Sequence, residues 1–168
     1  AGKVLLWLFQ KLGLLSKAVY PKERKGFRPI YFPQKMPGAL AILARNQLRK
    51  LERFNAHRRE IVKIYERGFS GLDIKLPMKR GNSIWLRYPI RIADSEKIYD
   101  ELKKRGFLLG NWYRGIVMPA DDLKIVGYTD GSCPNAETFS RTVLNLPTYA
   151  ALQFKDAEKI VGLLKNYA

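Results

Sequence analysis

The stretch that most limits how this chain can fold runs from Lys35 to Gly68, KMPGALAILARNQLRKLERFNAHRREIVKIYERG. Apolar or neutral residues recur at Leu40, Leu43, Ala44, Gln47, Leu48, Leu51, Phe54, Ile61, Ile64 and Tyr65. Spacings of three and four draw these into one stripe along a helix. Arg45, Arg49, Lys50, Arg53, Arg58, Arg59 and Lys63 fall on the other side. Pro37 suits a first helical turn, where a missing N–H costs nothing, and Gly68 suits a left-handed residue that ends a helix. The run therefore predicts a single helix with its stripe in a domain core. Strict heptads do not persist, which argues against a lone coiled coil.

A chain of 168 residues that is 46% hydrophobic can bury one core. Its single cysteine, Cys133, excludes an internal disulfide, and with the single His57 it cannot build a Cys/His zinc site. The formal net charge is +16, and it is local: through Asn82 there are 19 Lys/Arg against 5 Asp/Glu. Three partners fit that imbalance. They are nucleic acid, a nucleotide-bearing substrate or anionic membrane surface, and an acidic domain or subunit outside this chain. The sequence begins with Ala1 and not Met, so a processed, trimmed or partial chain is expected.

Ahead of the long run, residues 2–19 hold an apolar leader, VLLWLF and then LGLL, too short and interrupted to span a bilayer. An amphipathic helix docked on a neighbour, or lying at a membrane surface, is expected there. Residues 20–34, YPKERKGFRPIYFPQ, read as an extended, basic, Pro-rich arm whose aromatic residues could stack bases or pin subunits together. Residues 1–34 are thus set apart from a domain over 35–168. Beyond the helix, Ile84 to Ile92 alternate as a strand. Asp94 can cap a helix that buries Ile98 and Leu102 and stops at Gly106, and Phe107 to Val117 resume a strand-like pattern. After a loop with an Asp130-Gly131 turn come a short helix from Asn135, an extended Val143 to Leu146, and a closing helix over 156–167. The order predicts an α/β or α+β layer in which a small sheet is covered by helices on one face.

No Gly-rich phosphate loop, Gly-x-Ser-x-Gly elbow, His-Glu-x-x-His or Ser/His/Asp set is present. The carboxylate pairs Asp100/Glu101 and Asp121/Asp122 read as solvated surface, and no residue is assigned as catalytic or as a metal ligand. The residues on their own describe half of a site.

Three motifs in order support a comparison. Lys35, Met36, Ala41, Leu43, Gln47 and Leu48, with Phe54, Asn55, Arg58 and Arg59, resemble a segment of DegT/DnrJ/StrS-type sugar aminotransferases. The CPNAE of Cys133 to Glu137, the LNLPTY of Leu144 to Tyr149 and the final helix from Asp156 to Val161 look like that family's C-terminal end. The resemblance implies the small, mostly antiparallel C-terminal domain of a fold-type I, pyridoxal-phosphate-dependent enzyme. In such enzymes a lysine and an aspartate of a larger N-terminal domain hold the cofactor, and neither motif occurs here. The implied reaction moves an amino group from a glutamate-like donor to a nucleotide-linked keto sugar, in glycan or polysaccharide biosynthesis in the cytoplasm. The implied assembly is a homodimer with shared sites.

Carried over residue by residue, the resemblance places Lys35 where the family has a phosphate-facing arginine, keeping the charge without the planar fork. Pro33 stands where the family has an asparagine that reaches the cofactor phosphate of the neighbouring subunit. Arg87, Trp112 and Tyr113 fall on the substrate side. Because the chain's lysines sit in charge-rich or terminal contexts, it is expected to be inactive alone. The rival expectations are a basic nucleic-acid-binding module and a membrane-surface or partner subunit.

Overall fold

The computed structural model describes residues 2–13, 19–28, 35–79 and 81–168. Leu14 and Leu15 of the leader, and Tyr31, Phe32 and Pro33 of the arm, lie outside the described residues. The chain forms two compact units. One comprises residues 1–34 with 117–132, and the other residues 35–116 with 133–168.

In the first unit, α1 (Gly2–Lys11) leaves Val4, Leu5, Leu6, Trp7 and Leu8 exposed, and Lys11 folds over the Trp7 ring at 4.5 Å. The arm is not wholly extended, because α2 (Pro21–Arg24) makes one helical turn. Pro21 starts it where no N–H is needed, and Glu23 accepts a 2.6 Å hydrogen bond from the Tyr20 N–H. Arg24 reaches Asp121 at 3.1 Å. No helix among the described residues is long and apolar enough to cross a membrane.

In the second unit the long run is two helices, α3 (Gly38–Leu48) and α4 (Leu51–Gly68). At the break, Lys50 stays in the right-handed region but at its edge, φ −97°, ψ 0°, and its N–H bonds three residues back to Gln47. The stripe has no core to lie on through α3, where Leu40, Ile42, Leu43 and Leu48 are exposed. It becomes a core face only along α4, at Ile61, Val62 and Tyr65. Gly68 ends α4 for a reason the stop signal did not carry. Its conformation is helical, and a Cβ there would meet Val161 Cγ1 of the last helix at 2.4 Å, whereas Gly71 takes the left-handed φ of +79°.

Strand β1 (Arg87–Arg91) pairs antiparallel with β2 (Val143–Pro147), in the register Arg87↔Pro147, Pro89↔Asn145, Arg91↔Val143. Alternation sends Tyr88, Ile90, Leu144 and Leu146 into the core with residues of α4, α5 (Ser95–Lys104) and α7 (Phe154–Leu164). The fold is thus a mixed α/β layer, a small antiparallel sheet with helices packed on it. Asp94 opens α5 from the left-handed region (φ 51°) and makes no side-chain cap bond, while Ile98 and Leu102 are buried and Gly106 (φ +86°) stops it. Helix α6 (Pro134–Thr142) begins with Pro134 in its first turn.

Residues 107–117 are not a strand. Only Gly110 bridges, to Asn145, and the chain then turns at Tyr113 with φ +71°. Asn145 gives both its backbone hydrogen bonds to Gly110, at 2.8 and 3.0 Å. Its β1 partner Pro89 therefore has no ladder bond to make, which suits a residue with no N–H.

Burial pushes the Tyr88 phenol up to about 12, with Glu66 adding to it, and burial raises Tyr65 above the ordinary phenol range. Both rings hold their proton more tightly folded than unfolded. Their contribution to stability is complete below about pH 10 and is lost as the pH climbs toward the folded values. In an alkaline titration followed by tyrosinate absorbance and circular dichroism, these two rings ionise together with loss of the helical signal. Full ionisation of every tyrosine before unfolding would contradict their burial.

Candidate functional site

The outward residues of the sheet, Arg87 and Pro89 on β1 with Asn145 and Pro147 on β2, floor a cleft of about 430 Å³. Its walls come from three segments. The middle of α4 supplies Arg58, the approach to β1 supplies Trp85, and the turn after Gly110 supplies Trp112 and Tyr113. Thr148 and Tyr149 close the end beyond β2. Buried Thr148 fixes this end by donating its hydroxyl toward the carbonyls of Trp85 and Leu86, at 2.8 and 2.7 Å.

The polar groups are few and fixed. The Arg87 guanidinium lies over the Trp112 ring at 5.0 Å, a cation–π contact that leaves its N–H edge free to meet an anion. Asn145 is fully buried and donates Nδ2–H to the Trp112 carbonyl at 2.8 Å, while its Oδ1 has no partner among the described residues. Arg58 donates to Asn55 Oδ1 at 3.0 Å, yet its buried Nε has no partner among the described residues. Orphaned buried donors and acceptors cost about 1–3 kcal/mol each, and both of these belong to residues that line the cleft. Gly110 permits this packing, since a Cβ there would come within 2.9 Å of Asn145 Cβ and 3.1 Å of Arg87.

Of the residues expected at a site, Arg87, Trp112 and Tyr113 are brought together here, although Trp112 and Tyr113 sit on a turn and not in a strand. Lys35 is exposed ahead of α3 and does not line the cleft. Sequence reasoning missed Arg58, Asn145 and Thr148 as site residues. Arg58 stood in the Phe-Asn-x-x-Arg-Arg motif as one of many helix cations. Asn145 was legible only as a polar residue in the middle of an otherwise apolar β2.

The mixed α/β fold, a two-stranded antiparallel sheet with helices packed on its inner face, is one that solved fold-type I aminotransferases share. The model of the DegT/DnrJ/EryC1/StrS aminotransferase family matches residues 9–165, and the chain belongs to that family. It is 29% identical over 133 residues to the uncharacterized protein MJ1066 of Methanocaldococcus jannaschii, a match covering 72% of this chain and 34% of that one. Its fold is similar to that of DesV of S. venezuelae, solved with a ketimine intermediate. The TM-score is 0.70 at 24% identity, over 86% of this chain and 42% of that one. It is also similar to the GDP-4-keto-6-deoxy-D-mannose-3-dehydratase of E. coli, solved with bound hydrated PLP. There the TM-score is 0.62 at 20% identity, over 87% of this chain and 40% of that one. The chain therefore spans about a third of its archaeal relative's length and about two-fifths of each solved enzyme's.

The family's aminotransferases depend on pyridoxal phosphate. The cleft lining contains neither a lysine nor a carboxylate. This donor set does not fit the cofactor's aldehyde or its pyridine nitrogen. It fits a ligand that combines an anionic group, a flat or ring-shaped body and one hydrogen-bond donor for Asn145.

Proposed function

We propose that this chain is the substrate-side, C-terminal portion of a PLP-dependent sugar aminotransferase that takes a glutamate-like donor and a nucleotide-linked keto sugar. The product would serve polysaccharide or related glycan biosynthesis in the cytoplasm. The observation that carries the reading is the pair of arginines, Arg58 and Arg87, converging with the unsatisfied Asn145 Oδ1 in an aromatic cleft. Arg87, steadied on Trp112, and Arg58 bind the anionic part of the substrate. Asn145 accepts a bond from a substrate hydroxyl or amine, and Trp85, Trp112 and Tyr113 exclude water and orient the ring.

When bound, the cofactor supplies the carbonyl that carries the amino group between substrates. Its lysine and aspartate belong to a part of the enzyme outside this chain. Lys35 is the candidate here for facing the cofactor phosphate across a shared homodimer site. Alone, the chain is expected to bind substrate without turning it over.

The test reads the indole N–H signals of the three tryptophans, of which Trp85 and Trp112 line the cleft and Trp7 lies in α1. A nucleotide-linked 4-keto sugar shifts the Trp85 and Trp112 signals and leaves Trp7 unmoved. Arg87→Ala weakens the response about tenfold, as expected for loss of a charged hydrogen bond. Added PLP gives no saturable visible band. A one-to-one lysine-dependent band would overturn the inactivity, and sugar-nucleotide shifts indifferent to Arg87 would overturn the substrate assignment.

A further inference from the structure

We propose that α1 and the basic arm after it form a binding surface for an anionic bilayer, with α1 lying in the headgroup plane. The surface belongs to the first unit and does not depend on which substrate the aromatic cleft takes.

The helix supplies a wide apolar face. At about 100° per residue, Val4, Leu8, Leu12, Leu5, Phe9 and Leu6 follow one another around an arc of about 200°. Leu12 keeps its place on that arc because its N–H still bonds to the Leu8 carbonyl at 2.9 Å. Each of the six is at least 37% exposed, so no described residue buries the face. The narrow remaining side carries Trp7, Gln10 and Lys11, with Lys11 over the Trp7 ring at 4.5 Å. A cation beside an amphipathic ring suits the level at which headgroups meet acyl chains.

The width of the arc argues for lipid over a protein neighbour. A helix packed on one neighbour needs a stripe about 100° wide, and here such a contact would leave half of the leucine and phenylalanine surface in water. Acyl chains close around the whole arc. Ten residues rise about 15 Å, half of a bilayer's hydrocarbon thickness, so α1 lies in the surface and does not span it. The match to the aminotransferase family begins at residue 9, which leaves Val4 to Leu8 outside the stretch that the family shares.

Charge selects an anionic surface. Residues 17–28 hold five Lys/Arg against one Glu, directly after the apolar helix. Arg24 is engaged by Asp121, whereas Lys22 and Lys25 are exposed. A basic cluster of this size beside an amphipathic helix is attracted to anionic headgroups, and the apolar face then holds what the charge has gathered.

The test sediments the chain with vesicles made from equal parts of phosphatidylcholine and phosphatidylglycerol. The chain pellets with them, added salt weakens the binding, and vesicles of phosphatidylcholine alone retain far less. Leu5→Glu with Leu8→Glu raises the lipid concentration for half-binding about tenfold or more, and Lys22→Glu with Lys25→Glu does the same. All four positions are exposed, so the indole signals of Trp85 and Trp112 keep their parental positions in both variants and show that the second unit is intact.

A chain that stays in the supernatant, that binds phosphatidylcholine alone equally well, or whose leucine or lysine variant binds like the parent overturns the proposal. A dimer that forms without lipid and that the leucine changes return to monomer assigns the face to a second copy of the chain, and overturns it too.

Discussion

Replacing Tyr65 by alanine lowers the stability of the unit built from residues 35–116 and 133–168 by about 3–5 kcal/mol, the range for truncating a large buried aromatic. Tyr65 is fully buried, stacks with Phe69 at 6.2 Å and Tyr88 at 5.9 Å, and donates its hydroxyl to the Pro147 carbonyl at 2.8 Å. It is where α4, β1 and the end of β2 meet. Since a domain is stable by about 5–15 kcal/mol in all, one truncation removes a large share. Tyr65→Phe separates the two contributions, because it keeps the ring and orphans the carbonyl, costing about 1–3 kcal/mol. Chemical denaturation midpoints measure both. An alanine variant within 1 kcal/mol of the parent would show that the three elements do not depend on this ring.

The second large effect is at Gly68, where two opposing terms can be weighed. In a helix, Gly→Ala ordinarily gains up to about 1 kcal/mol. Here the new methyl would stand 2.4 and 2.9 Å from the two Val161 methyls, and 3.2 Å from Val161 Cβ. No rotamer of Val161 removes that last contact, so α4 and α7 must separate, and overpacking costs about 1–3 kcal/mol. Gly68→Ala is therefore expected to destabilise. In a Val161→Ala background the cost falls sharply, because the two methyl collisions are gone and only the 3.2 Å approach to Cβ remains. A double-mutant cycle with no coupling between the two positions would contradict this contact.

These two residues also show what the sequence carries and what it does not. The periodicity that placed Tyr65 on an inward stripe was sound, since α4 folds as its pattern asks. The same pattern over Leu40 to Leu48 gave no sign that this half lies exposed, because a stripe records that a face is apolar and not whether anything covers it. The break at Arg49–Lys50 has no Gly or Pro to announce it. Gly68 was legible as special, but for dihedral freedom, when the cause is a neighbour 93 positions away in the chain, beyond the reach of any local rule.

The site divides in the same way. Arg87 and the aromatic pair Trp112 and Tyr113 were reached through the family resemblance, and the cleft gathers them. Arg58 and Asn145 matter through what their atoms lack, a property that appears only once the surrounding packing is known. Residues 107–117 alternate like a strand, yet the left-handed Tyr113 and the bond from Asn145 to the Trp112 carbonyl make them a turn.

That turn is attached to the sheet by a single rung. The two backbone bonds between Gly110 and Asn145, with the one from the Asn145 side chain, tie β2 to the aromatic rim. Each is worth about 1 kcal/mol net, far less than the core beneath. The rim therefore belongs to the part of the molecule that opens by local fluctuation while the helices and sheet stay folded. Trp112 and Tyr113 are then expected to loosen before the sheet does, which would suit the wall of a cleft that a ligand enters and leaves.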